Sequence, residues 1–174
     1  HACMTLVAGL RAAGAGVPFQ PVGGGHGSQI AEMNGWVKRA DPYGSNQETY
    51  LIPAIRPDFV VIHANEIDAD GNARVFGSPH WDRAMTRAAR TLFVTAEKLV
   101  ETDRFRERPE LTLVPGFMVA GCCVVPNGAW PGSLAPDYQV SYDEVQAYVD
   151  DAEQTIEPHM SRAPELNAKE PKHV

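Results

Sequence analysis

The chain has 174 residues, 44% of them hydrophobic and 21% charged, the make-up of one globular domain with a sizeable core. Its net charge of −7, with the basic run from Lys98 to Arg108 broken by Glu101, Asp103 and Glu107, argues against nucleic acid and anionic membrane surfaces as partners. No apolar run approaches the about 18 residues that span a bilayer. No signal-peptide pattern is present, and Cys3, Cys122 and Cys123 lack metal-ligand or redox spacing, so a reducing cytoplasm is the expected setting.

In chain order, Met4, Leu6, Val7, Leu10 and Ala13 recur at helical spacing up to Gly14-Ala15-Gly16. Because His1 leads directly into this pattern, a longer natural N-terminus is expected. Val17 to Val22 reads as a short strand that Pro18 and Pro21 restrict to an edge or a strand start. Glu32 to Pro42 shows no period and is expected to be irregular, with turns at Asn34-Gly35 and at Asp41 to Gly44. Gln47 to Pro53 reads as another short strand.

Phe59-Val60-Val61-Ile62 is a continuous apolar run, expected to be a strand covered on both faces. His63, Asn65, Glu66, Asp68, Asp70 and Asn72 crowd just beyond it, at the strand end where open α/β sheets bind ligands. Ala73 to Phe76 follows as a small extended piece. His80 to Ala89 is expected to be a helix with Trp81, Ala84, Met85 and Ala88 on one face, and Thr91 to Val100 an interior strand. Leu111 to Val114 and Met118 to Val125 read as strands parted by Pro115-Gly116, and Pro126 to Ser133 as a turn-rich loop. Asp143 to Glu153 is an amphipathic helix behind a Ser141 cap, with Val145, Tyr148 and Val149 expected inward. Strands separated by helices imply an α/β fold, an open, largely parallel sheet with flanking helices over residues 1–156, followed by a polar, proline-containing tail at 157–174.

Four glycines between Gly23 and Ser28 favour close approach of a ligand or another chain. The loop matches neither a Walker loop nor a dinucleotide fingerprint, and a flexible connection accounts for it equally well. Asp68 to Asn72 looks like half of a calcium loop but lacks the bidentate Glu, so a tight turn is expected. His63 reads as a hydrogen-bonded structural histidine before a catalytic one. Glu97 has to be paired or solvated, with a nearby Arg the first partner to consider. Cys122 and Cys123, inside MVAGCCVVP, are expected to act as small hydrophobes. No Gly-x-Ser-x-Gly elbow is present.

Taken together, PAIRPDFVVIHANEIDADGN, LFVTAEKLV and VPNGAWPGS resemble the α subunit of family I CoA-transferases, the glutaconate and 3-oxoacid type. The matching residues are Pro53, Ala54, Pro57, Asp58, His63, Asp68, Gly71, Asn72, Glu97, Pro126, Gly128 and Pro131, in the family's order, and the likeness runs from about Met4 to Val149. It departs in two places: the family's N-terminal portion, with its glycine-rich turn near the CoA site, is not in these residues, and the Arg that several relatives carry near Gly23 is missing.

The resemblance implies a subunit that moves CoA between an acyl-CoA thioester and a carboxylic acid, with no permanently bound cofactor and the coenzyme A thioester as substrate. The nucleophilic glutamate would belong to a partner β subunit, in a heterodimer or a two-plus-two tetramer, and would pass through a mixed anhydride to a glutamyl-CoA intermediate. This chain would supply no catalytic nucleophile but a wall of the site, with Gly24, Gly25, His26, Gly27, Ser28, Asn72, Asn127 and Gly128 as substrate-binding residues. Two other readings stand beside it: an acyl-CoA thioester hydrolase or ring-opening enzyme subunit on the same scaffold, and a non-catalytic structural partner.

Overall fold

The computed structural model describes residues 3–23, 27, 29–45 and 47–151. The expected tail at 157–174 lies outside them. The chain forms two compact units, one from the residues up to Val60 together with His80–Thr91, the other from Val61–Pro79 together with Leu92 onward.

The first unit begins with helix α1 (Cys3–Gly14) and holds a three-stranded antiparallel sheet. Its strands are β1 (Phe19–Val22), β2 (Val37–Ala40) and β3 (Glu48–Pro53), in the order β1-β3-β2, with Phe19 opposite Pro53 and Val37 opposite Leu51. The prolines of β1 are tolerated because it is an edge strand. Helix α2 (Gln29–Met33) and β2 occupy the stretch expected to be irregular, because fully exposed β2 draws its order from pairing with β3 and not from an apolar period. The core here is Leu10, Ala13 and Ala88, the last on helix α3 (Asp82–Ala88), with Leu6, Ile55 and Met85 packed around them. Gly9 and Gly14 let neighbours approach: a Cβ on Gly14 would lie 2.9 Å from the Arg87 Cβ.

The second sheet has the order β5-β4-β6-β7, from β4 (Phe59–Ile67), β5 (Ala73–Arg74), β6 (Thr91–Leu99) and β7 (Gly121–Val124). β5 runs antiparallel to β4, and β7 parallel to β6 with Phe93 opposite Gly121. The flanking bonds Thr91 N–H to Asp58 O and Val100 N–H to Ile67 O keep one offset, so β6 also runs parallel to β4. This is the open, largely parallel sheet with a flanking helix, α4 (Thr102–Glu107), whose Phe105 is buried; α5 (Tyr142–Asp150) follows with no buried residue.

Several expectations are corrected. β4 is not covered along its whole length on both faces: Val60 and Ile62 are buried, whereas Phe59 and Val61 are 70% and 59% exposed. Cys122 and Cys123 are free and exposed, because they fall on edge strand β7 and not in a core strand. Leu111 to Val114 forms no strand; Pro109–Leu111 is a 3-10 turn and only Val114 bridges to Ala73. On α5 the residues expected inward, Val145, Tyr148 and Val149, are exposed, and the Ser141 side chain makes no cap bond. Helical spacing determines which face is apolar, not whether another layer covers it.

Candidate functional site

In the second unit, His63 from the middle of β4 and Thr95 and Glu97 from the carboxyl half of β6 share one face of the sheet. Thr95 and Glu97 do so because side chains two apart on a strand point the same way. β4 runs on to Ile67, so His63, Asn65 and Glu66 lie within the strand and not beyond its end as expected. The Glu97 carboxylate accepts three hydrogen bonds: from His63 Nε2 at 2.8 Å, from the Tyr138 hydroxyl at 2.8 Å on the same oxygen, and from the Asn127 backbone N–H at 2.8 Å on the other. His63 Nδ1 lies 2.8 Å from the Thr95 hydroxyl, and the Ala129 N–H donates to the Tyr138 oxygen at 2.9 Å. With Glu97 ionised, Nε2 carries the proton and, in the neutral ring, Nδ1 accepts from Thr95; this tautomer is assigned from the bonding network.

His63 and Glu97 retain 14% and 13% of their side-chain exposure. Burial pushes the Glu97 carboxyl up, but bonds from His63, the Asn127 N–H and Tyr138 outweigh it, leaving the group below its ordinary 4.5. Burial first, and then the bond to Glu97, push Tyr138 up to about 12 against the opposing Ala129 N–H.

The arrangement clamps the loop after β7 over the strand ends. Gly128 is needed there, since a Cβ would come within 2.5 Å of His63 Cε1 and 3.0 Å of the Val125 oxygen. A second tie holds the same loop: buried Asn65 donates to the Ala135 oxygen at 3.0 Å and to Asp137 at 2.7 Å. A carboxylate with both oxygens engaged makes a weak nucleophile and a good positioning group. The expected Arg partner of Glu97 is therefore corrected to His63, Tyr138 and a backbone N–H.

Of the substrate-binding residues expected from sequence, Gly24, Gly25, His26 and Ser28 lie outside the described residues. Gly27 has φ +77° and, among the described residues, no neighbour within 4 Å of where a Cβ would stand; it belongs to the first unit. Asn72 works inside the Asp68–Asn72 turn: its side chain donates to Asp68 at 2.8 Å and accepts from the Gly116 N–H at 2.8 Å, while Gly71 takes φ +82°. Asn127, at φ +58°, gives its N–H to Glu97, and Gly128 gives its own to Val125 O at 3.1 Å. Their N–H groups are thus committed within the protein. Pro126, Asn127 and Gly128 are all exposed, and of these Asn127 is the one with a polar side chain. Thr95 and Tyr138 do not stand out in the sequence. The alternation of Thr95 with Glu97 beside His63 could have pointed to the first, but nothing local points to Tyr138.

Among the described residues no group of His, Cys, Asp and Glu could hold a metal ion, and no helix is long and apolar enough to cross a membrane.

Residues 4–122 match the Coenzyme A transferase family. The chain belongs to that family. Its relatives include the IpdA subunit of the cholesterol ring-cleaving hydrolase of Mycobacterium tuberculosis, 33% identical over 76% of this chain and 49% of that protein. Another is a glutaconate CoA-transferase subunit of Acidaminococcus fermentans, 25% identical over 79% of this chain and 48% of that one. The crystal structure of glutaconate CoA-transferase from the same organism superposes with a TM-score of 0.80 at 20% identity, covering 92% of this chain and 55% of the other. A variant of the decarboxylase AibA/AibB superposes at 0.74 with 27% identity, covering 88% and 55%. The chain spans no more than about half the length of these curated relatives.

Proposed function

We propose that this chain is the α-type component of a CoA-transferase, working with a β-type partner to move CoA from an acyl-CoA thioester to a carboxylic acid. The observation that carries the reading is the family match over residues 4–122, the stretch that supplies both β4 and β6 and therefore His63 and Glu97. In this reading the partner's glutamate forms the glutamyl-CoA intermediate and this chain builds one wall of the site. Glu97, through His63 and the Asn127 N–H, holds the 125–138 loop so that the Asn127 side chain meets the acyl group. Gly24, Gly25, His26, Gly27 and Ser28 form the other contact to substrate, and residues 1–156 act as one functional domain with 157–174 as an appended tail. The setting is cytoplasmic, and CoA is a substrate, with no resident cofactor.

The test is to assemble the chain with a β-type subunit, then follow CoA transfer from an acyl-CoA to acetate or succinate. Transfer that requires the acceptor acid supports the reading. Release of free CoA with no acceptor present sinks it and favours a second reading, a thioester hydrolase or ring-opening enzyme. That alternative draws on the 33% identity to the ring-cleaving hydrolase subunits, higher than the 25% to the glutaconate enzyme.

A further inference from the structure

Every arginine among the described residues outside one groove has a partner. Arg39 and Arg56 donate to backbone carbonyls. Arg74 donates to two backbone carbonyls and lies near Glu66, Arg90 pairs with Asp58, and Arg104, Arg106 and Arg108 pair with Glu66, Asp103 and Glu110. The side chains of Arg11, Arg83 and Arg87 make no hydrogen bond or ion pair among the described residues, and all three line the same groove of about 540 Å³ between α1 and α3. Among the described residues no Asp or Glu lines it; His80 and Trp81 do, over an apolar floor that includes Leu10 and Ala84.

This concentration is not what helix stability asks for. Arg83 and Arg87 are one turn apart on α3, a spacing at which like charges repel. Gly14 brings α3 close enough that the Arg87 Cβ would meet a Cβ there, which sets Arg87 beside the last turn of α1, where Arg11 projects. Three forked guanidiniums beside an indole, on a chain of net charge −7, form a local field of the opposite sign with a flat apolar surface next to it. Guanidiniums bind phosphate in paired hydrogen bonds, and an indole stacks on a planar base.

We propose that the α1–α3 groove binds a phosphate-bearing nucleotide, with Arg11, Arg83 and Arg87 on the phosphates and Trp81 against the base. Given the proposed function, on which this choice of ligand rests, the nucleotide is the 3′-phospho-ADP end of the coenzyme A substrate. A free nucleotide shares the chemistry, and the ligand series separates the two.

The full chain is titrated by calorimetry with 3′,5′-ADP, CoA, dephospho-CoA, ADP and inorganic phosphate. The same ligands are run on Arg83→Ala/Arg87→Ala, on Arg11→Ala and on the charge-preserving Arg83→Lys/Arg87→Lys. Saturable binding of 3′,5′-ADP and CoA is expected, weaker for dephospho-CoA and ADP. The double alanine variant should lose at least roughly tenfold in affinity, and the lysine variant should recover part of it. Binding should weaken with salt and quench a fluorescence component that Trp81→Phe removes. Absence of saturable nucleotide binding, or unchanged affinity in the alanine variants, overturns the groove. CoA transfer by the assembled complex with a groove-independent CoA affinity overturns the groove and leaves the transferase reading intact. Groove-dependent 3′,5′-ADP binding in a complex that transfers no CoA does the reverse.

Discussion

Two glutamates stand near the ends of neighbouring strands in the second unit, and the protein treats them oppositely. Glu66, on β4, is fully buried and met by cations: Arg104 Nε donates to it at 3.0 Å, and Lys98 Nζ lies 3.3 Å away. Arg104 Nη2 lies 2.8 Å from Oε1 as an ion pair, without hydrogen-bond geometry at that oxygen. Buried Arg74 is 3.9 Å off, its guanidinium 4.3 Å above the Phe105 ring. Glu97, on β6, meets no Lys or Arg among the described residues; its partners are a histidine, a phenol and a backbone N–H. The first carboxylate is surrounded by cations from three separate positions and serves architecture. The second takes its bonds from an imidazole, a phenol and a loop N–H, which suits a group that holds a loop in place.

The largest effect should come from the first of the pair. Glu66→Gln leaves buried Arg74 without its counter-charge and is expected to cost about 3–5 kcal/mol in chemical unfolding. A loss below about 1 kcal/mol would mean that the cations hold each other's places without it. Next, Gly128→Ala drives a methyl into the His63 ring and the Val125 carbonyl, for about 1–3 kcal/mol of overpacking. The His63 ring-proton NMR signals should move with it; unmoved signals would show that the loop does not rest on the ring.

The pH response reports on Glu97. Folding lowers the Glu97 pKa, so its contribution is fully present above the ordinary 4.5 and is lost as pH falls through the lower folded value. The gap in Tm between the unmodified chain and Glu97→Gln should therefore shrink as the pH drops below 4.5; a constant gap would mean that the carboxylate's charge is irrelevant to the clamp. The smallest effect is on Tyr138. Glu97→Gln should bring its ionisation down from about 12 without reaching 10, because burial, the larger cause, remains. Ultraviolet titration of the tyrosinate band checks this, and an unchanged midpoint would break the proposed link between the phenol and the carboxylate.

Much of the fold was legible because its signals are local. The apolar runs at Phe59–Ile62 and Thr91–Val100 marked the two central strands. Pro21 marked an edge strand, and Asp68 to Asn72 marked a turn through its Asp, Gly and Asn. β2 was not legible, since four exposed residues carry no period and acquire strand form only by pairing with β3.

By itself the sequence determined the family, because the matching motifs recur in order along one chain, and it singled out His63 and Glu97 as polar groups, although it ended β4 too early and put His63 beyond a strand that runs on to Ile67. Only the tertiary structure decided what they do. The partners of Glu97 come from residues 63, 127 and 138, and the groove-lining arginines of α1 and α3 are about seventy positions apart, distances over which no local pattern carries information. Exposure, too, was decided there: an apolar stripe such as Val145 and Val149, or Phe59 and Val61, records a preference for cover, and whether cover arrives depends on the packing of other elements.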